Sequence, residues 1–375
     1  MTLRSRRLAV SLFVPICFLA VAEIVLRMAG YPTGRYAPLY PADRGVYPEN
    51  ARLAMDWGPI PYTIRTNSLG LRGPEIVVPK DAETERIVAI GDSFTDGYFV
   101  DDEATWEVVL QKNLGHRTGR DVEVVNAAWG GGSIDKELAL LREIALPLDP
   151  DTVILQFFCN DITDLRGRPL DELLRYTLKV QRPGLVQRVQ KFLVTRSALG
   201  EALFSRAMDR RREENVSPSD GLSRYAFAGA GDTATNLRLY REQFKTRDME
   251  VLSEPWTDEI EELMKLYVTL LDRFIQECDR NGIALVFVYF PSYGETHGEG
   301  SGYRVNSALQ EACRERKIPF LDLSPVFRRE SQDTNLYLMP LDSHLNLEGH
   351  RVAARELGEY LSSPRAGLQS GRMTP

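Results

Sequence analysis

Ser93 follows a short apolar run, Arg86-Ile87-Val88-Ala89-Ile90, and sits in Gly91-Asp92-Ser93-Phe94-Thr95. Such a run reads as a strand, and an open α/β sheet presents reactive groups just past the C-terminal ends of its strands. Gly-Asp-Ser alone is a weak signal, because Asp and Ser also cap helices. A hydroxyl attacks only once a base has taken its proton, and that base needs a carboxylate to fix its tautomer. Asp342 and His344, in "LDSHLNLEGH", offer this pair near the C-terminus. Two more segments could stabilise charge developing on a substrate oxygen. Asn126 ends a strand-like run and leads into "AAWGGGS", where glycines let backbone N–H groups approach closely. Asn160-Asp161 closes the run "TVILQFF", so the Asn160 amide can donate at the same sheet edge.

Other reactive residue types have plainer readings. His350 falls about one turn inside a helix capped by Asn346 and reads as structural. His116 and His297 are expected in loops, solvated and without a partner pattern. Cys159 reads as a small apolar packing residue, and Cys278 and Cys313 as two buried free thiols, although a bridge between them would also fit an oxidising compartment. No Cys or His spacing suggests a metal site.

These residues need a scaffold. From Arg86 onward, β-branched runs alternate with amphipathic segments: "RIVAI" then "TWEVVLQKNL", "VEVVNAA" then "DKELALLREIAL", and "TVILQFF". The alternation resumes with the long helix "WTDEIEELMKLYVTLLDRFIQECDR", the strand "IALVFVYFP", the helix "VNSALQEACRERK" and the short strand "PFLDL". This predicts an α/β fold with a doubly wound, five-stranded parallel sheet flanked by helices, flavodoxin-like in arrangement. Between about 166 and 253 the pattern becomes basic and helix-like, predicting a helical insertion over one end of the sheet. A small β lead-in is expected around "IRTNSLGLRGPE".

The four blocks together resemble the SGNH, or GDSL-like, serine hydrolases. The resemblance implies Ser93 as nucleophile, His344 as base and Asp342 as its partner. It also implies an oxyanion hole formed by the Ser93 backbone N–H, the N–H of Gly131 and the Asn160 side chain, with Gly130 and Gly132 as alternatives to Gly131. The third block departs from the family's Gly-x-Asn-Asp, reading Phe158-Cys159-Asn160-Asp161. In the last block only Ser343 separates Asp from His, which is similar to the alginate O-acetylation branch. "TNSLGLRG" is similar to the lead-in of bacterial membrane-bound members.

Composition sets the context. The chain has 375 residues, of which 43% are hydrophobic and 26% charged, as in ordinary globular domains. A net charge of −7 without a basic, aromatic-interleaved stripe argues against a nucleic-acid partner. Leu8–Leu26 is a 19-residue, largely apolar run interrupted by Pro15 and Glu23, preceded by Arg4, Arg6 and Arg7. That length and flanking charge predict a transmembrane signal anchor at the inner (cytoplasmic) membrane, with the catalytic domain periplasmic. Cleavage near Ala22 is the competing expectation. The expected organisation is an anchor at 1–30, a linker and β lead-in at 31–85, the hydrolase domain at 86–361, and a disordered tail at 362–375. The expected activity is hydrolysis of O-acyl esters on envelope or secreted carbohydrate or on lipid, with no metal or organic cofactor. An O-acyltransferase using the same residues and a silent carbohydrate-binding protein are the rivals.

Overall fold

In the computed structural model, the described residues are 17–31, 46–55, 60–178, 232–245, 248–298 and 304–363, with scattered positions from 189 to 206. The arginine cluster, most of the glycine- and serine-rich stretch at 217–232, and the tail beyond 363 lie outside them.

A two-stranded antiparallel hairpin comes first, pairing β1 (Arg52–Met55) with β2 (Tyr62–Arg65). β1 lies earlier than the expected lead-in, because its sequence RLAM lacks a β-branched alternation. The parallel sheet then runs through β3 (Glu85–Ile90), β4 (Val122–Asn126), β5 (Thr152–Phe157), β6 (Ala284–Tyr289) and β7 (Phe320–Asp322). Its spatial order is β4-β3-β5-β6-β7, the five-stranded parallel sheet expected from the alternation. All of β5 is buried, as a strand covered on both faces must be.

The longer helices follow the expected segments. α1 (Ser93–Asp96) and α2 (Trp106–Thr118) follow β3, and α3 (Ile134–Leu140) follows β4. α4 (Asn160–Thr163) leaves β5, and α5 (Leu170–Leu174), α6 (Thr233–Gln243) and α7 (Asp248–Leu252) lie in the inserted stretch. α8 (Asp258–Arg280) buries Ile260, Leu263, Met264, Tyr267, Leu270, Leu271 and Phe274, the stripe expected of a helix laid on a sheet. α9 (Tyr293–His297), α10 (Arg304–Glu315), α11 (Ser324–Glu330) and α12 (Leu347–Leu361) complete the chain.

β3 is flanked by β4 on one side and β5 on the other, so the chain leaves these two neighbours, β3 and β5, in opposite directions. That reversal opens a crevice beyond their C-terminal ends, where Ser93 and Asn160 begin their helices.

Residues 17–28 are helical, and among the described residues no helix is long and apolar enough to cross a membrane. Residues 8–16 of the apolar run lie outside the described chain. Glu23, which interrupts the run, accepts hydrogen bonds from Ser197 Oγ and from the backbone N–H groups of Ala198 and Leu199, and it pairs with Arg27.

Candidate active site

Asp92, not Ser93, is the cap of α1: its Oδ1 accepts the Phe94 N–H at 2.9 Å. Ser93 is therefore the first helical residue. Gly91, two residues before it, leaves room for Gln156, since a Cβ there would fall 2.3 Å from Gln156 Oε1. The same Oε1 accepts from Thr95 Oγ1 at 2.8 Å, locking α1 to the middle of the sheet.

On the opposite wall, Asp342 and His344 share one tight turn. Asp342 Oδ1 accepts the backbone N–H of His344 at 2.9 Å and meets its ring Nδ1 at 2.5 Å. The other ring nitrogen, Nε2, lies 2.7 Å from Ser93 Oγ. A single intervening residue therefore suffices, because a turn folds the carboxylate back onto the imidazole. Burial opposes charging of His344, but the adjacent Asp342 carboxylate outweighs it and holds the imidazole above its ordinary value. Aromatic rings surround it: Phe94 at 5.0 Å, Tyr98 at 5.4 Å and Phe99 at 5.5 Å between centroids. Just beyond this turn, Asn346 caps α12 by accepting the Glu348 and Gly349 N–H groups.

The three glycines are not equivalent. Gly130 N–H donates to Asp96 Oδ2 at 3.2 Å, and Gly132 N–H donates to the Trp129 carbonyl at 3.1 Å. Gly131, at φ +72°, has an N–H with no hydrogen-bond partner among the described residues, and the same holds for Ser93 N–H. Asn126 latches the loop rather than facing the site, donating to the Thr95 carbonyl at 2.6 Å and accepting the Ala128 N–H. Asn160 donates through Nδ2 to Asp164 Oδ2 at 3.0 Å, which uses one of its two amide protons. Phe158, where the family has glycine, lies outside the left-handed region, so no glycine is needed there. Its ring stacks on Phe94 at 4.0 Å.

Behind Asp92 lies a cluster of carboxyl groups that no motif or spacing marks in advance. Burial pushes Asp92 up to about 6. Glu137 and Asp161 are raised well above the carboxylate range, first by burial and then by neighbouring carboxylates. Also unexpected are Tyr47, Arg72 and Asp96, which meet beside the glycine loop. Their only sequence signal is a charged Arg72 within "GLRG".

The remaining histidines divide. His350 is buried, its Nδ1 accepts the Trp106 N–H at 3.2 Å, and burial pushes it down to about 3. It is structural, as its helical position implied. His297 corrects the expectation of a solvated loop residue: it ends α9, half-buried, with its ring stacked 4.0 Å from Tyr293. His116 is exposed but stands in the last turn of α2 rather than in a loop. Cys159, Cys278 and Cys313 are buried and joined by no disulfide among the described residues.

The sequence model of the GDSL-like lipase/acylhydrolase family matches residues 89–352, spanning every block described above. The chain belongs to this family. An arylesterase from Vibrio mimicus is 33% identical over 86 residues, 23% of this chain and 42% of that protein, so the chain matches less than half of its length. Among solved structures, an acetylxylan esterase from Geobacillus stearothermophilus aligns over 74% of this chain and 94% of its own, at 13% identity and a TM-score of 0.42. A two-domain esterase active on acetylated mannans aligns over 78% of this chain and 52% of its own, at 13% identity and a TM-score of 0.41. Relative to the GDSL-like family model, Tyr47 and Arg72 lie upstream of the matched residues.

Proposed function

We propose that this GDSL-family chain is a serine esterase that cleaves O-acyl esters through an acyl-enzyme. The observation behind this reading is the 2.7 Å approach of His344 Nε2 to Ser93 Oγ, with Asp342 2.5 Å from the other ring nitrogen. His344 takes the Ser93 proton as Oγ attacks the ester carbonyl carbon. The resulting oxyanion is held by the N–H groups of Ser93 and Gly131 and by the second amide proton of Asn160. The imidazolium, stabilised by Asp342, then protonates the departing alkoxide. Water, deprotonated by the same imidazole, releases the acid and restores Ser93. The full-length chain in detergent should release p-nitrophenol from a short-chain acyl ester, and a folded Ser93→Ala protein should not. Equal turnover by both would refute the reading.

The single-residue spacing of Asp342 and His344 is similar to that of the alginate O-acetylation branch, and that resemblance favours a second reading, transfer of the acyl group to a sugar hydroxyl. The two differ only in which nucleophile reaches the acyl-enzyme, so acetylated oligosaccharide formed against acetate released separates them. The N-terminal run is proposed to anchor the chain in the inner membrane with the domain outside the cytoplasm. That location points to acylated envelope or secreted carbohydrate, or lipid esters, as substrates. Resistance to carbonate extraction is the expected result. A soluble species beginning at Glu23 would establish cleavage instead.

A further inference from the structure

Tyr47 precedes the family-matched residues, yet it is buried against the site. Its hydroxyl donates to Asp96 Oδ2 at 2.7 Å, and that same oxygen accepts the Gly130 N–H at 3.2 Å. Asp96 Oδ1 is buried with no hydrogen-bond partner among the described residues. One carboxylate oxygen thus joins the lead-in, the turn that carries Ser93 and the glycine loop. The lead-in holds this arrangement from two directions. Arg72, also buried, pairs with Asp102 at 2.7 Å and donates to the carbonyls of Asp96, Gly97 and Val100. The Tyr47 ring lies 4.7 Å from that of Trp129, the residue before Gly130. Tyr47 is itself held by the Asn67–Gly70 turn, where a Cβ on Gly70, at φ +74°, would come 2.3 Å from the Tyr47 carbonyl oxygen.

The glycine loop has little other freedom. A Cβ on Gly130 would fall 1.9 Å from Tyr98 Oη, and the turn from Trp129 to Gly132 is closed by a backbone bond. With Gly130 N–H tied to Asp96 and Gly132 N–H tied to Trp129, only the Gly131 N–H is left to face a substrate oxygen. We propose that Tyr47 and Asp96 are positioning residues for the oxyanion hole, acting through the Gly130 amide to aim the Gly131 N–H. The proposal rests on the esterase reading and extends the working site into a segment ahead of the family's matched core. Neither residue touches substrate. Their effect belongs to the transition state, where the oxyanion forms, and not to ground-state binding.

Tyr47→Phe removes one donor to Asp96 and keeps the ring. It should lower kcat about threefold to tenfold at unchanged KM, less than a hydrogen bond to a carboxylate is worth in full, because the loss reaches the Gly131 N–H only through Asp96. Asp96→Ala frees the Gly130 amide and should cost about 30- to 100-fold in kcat, short of the loss of a whole oxyanion donor. Asp96→Asn keeps an acceptor oxygen and should restore kcat to within about threefold of the parent, even at some cost in stability. A purely structural role would move stability without this order in kcat. A second readout does not depend on turnover: pairing carbonyl-¹³C tryptophan with ¹⁵N-glycine isolates the amide signals of Gly58 and Gly130, the two Trp-Gly steps. The Gly130 signal should shift in Tyr47→Phe and Asp96→Ala and stay near its place in Asp96→Asn. Should Asp96→Ala fail to fold, Tyr47→Phe and Asp96→Asn decide. Folded Tyr47→Phe with parental kcat and an unmoved Gly130 signal would overturn the proposal, as would Asp96→Asn as slow as Tyr47→Phe or slower. Absence of Ser93-dependent turnover in the parent would sink the esterase reading instead, while the Gly130 signal would still decide whether the pair holds the loop.

Discussion

The two walls of the catalytic crevice are held in opposite ways. The His344 wall is local: Asp342 orients the imidazole from two residues away, and Asn346 caps the helix that follows two residues later. The glycine wall is assembled from afar, with the loop at Gly130–Gly132 fixed by Asp96, Tyr98 and, through Asp96, Tyr47. Proton transfer tolerates no wrong tautomer, so its groups are fixed by short covalent connection. Oxyanion stabilisation uses backbone amides that any sequence carries, so its specificity comes from whatever pins the backbone.

This contrast breaks first at the imidazole. Replacing His344 with Gln should lower kcat by about four to six orders of magnitude, close to the loss of the serine itself, because triad members act as a unit. His350→Gln should leave kcat within about threefold. If the two results are exchanged, the base belongs to His350 and the local wall is misassigned. The acid limb of kcat/KM sharpens the same point. The base works when neutral and Asp342 raises its pKa, so activity should fall on acidification with a midpoint above the ordinary imidazole value of 6.5. A midpoint below that value would mean the carboxylate is not paired to the ring. Asp342→Asn, measured at neutral pH, should cost about 10⁴-fold by favouring the wrong tautomer.

On the glycine wall the effects are smaller. Asn160→Ala removes one donor and should reduce kcat about 100- to 1,000-fold with little change in KM. A loss confined to KM would place Asn160 in substrate binding instead. The smallest effects concern stability. Asn346→Ala should cost about 1 kcal/mol, read as a lower denaturation midpoint, because two N–H groups at the start of α12 lose their acceptor. His350 is held neutral down to about 3, against 6.5 when unfolded. Between those values the folded state binds fewer protons, so its contribution is complete above 6.5 and is lost as pH falls, at about 1.4 kcal/mol per unit. His350→Gln should flatten that acid slope, and an unchanged slope would assign the acid sensitivity elsewhere.

The same contrast explains what could be read in advance. The parallel sheet was legible because β3 and β5 are continuous apolar runs, and α8 because its stripe repeats over 23 residues. Ser93, Asp342, His344 and Asn160 were legible because side chains with rare chemistry stood at strand ends and in short blocks. Tyr47 and Asp96 were not, because a tyrosine in a Pro- and Tyr-rich stretch and an aspartate one turn past Ser93 acquire meaning only once folding brings them together. The choice among Gly130, Gly131 and Gly132 had the same difficulty: the glycines differ only in where their N–H groups point. His297 was misread because its ring partner, Tyr293, lies one helical turn away on a helix too short to show periodicity.

The central claim, that Ser93 is the nucleophile set by His344, is tested most directly by covalent labelling. The full-length chain is treated with a fluorophosphonate and its adduct mapped by peptide mass spectrometry. The account predicts one adduct on the peptide carrying Ser93, none in Ser93→Ala, and labelling slowed by orders of magnitude in His344→Gln. An adduct on another residue, or equal labelling of Ser93→Ala and the parent, would contradict it.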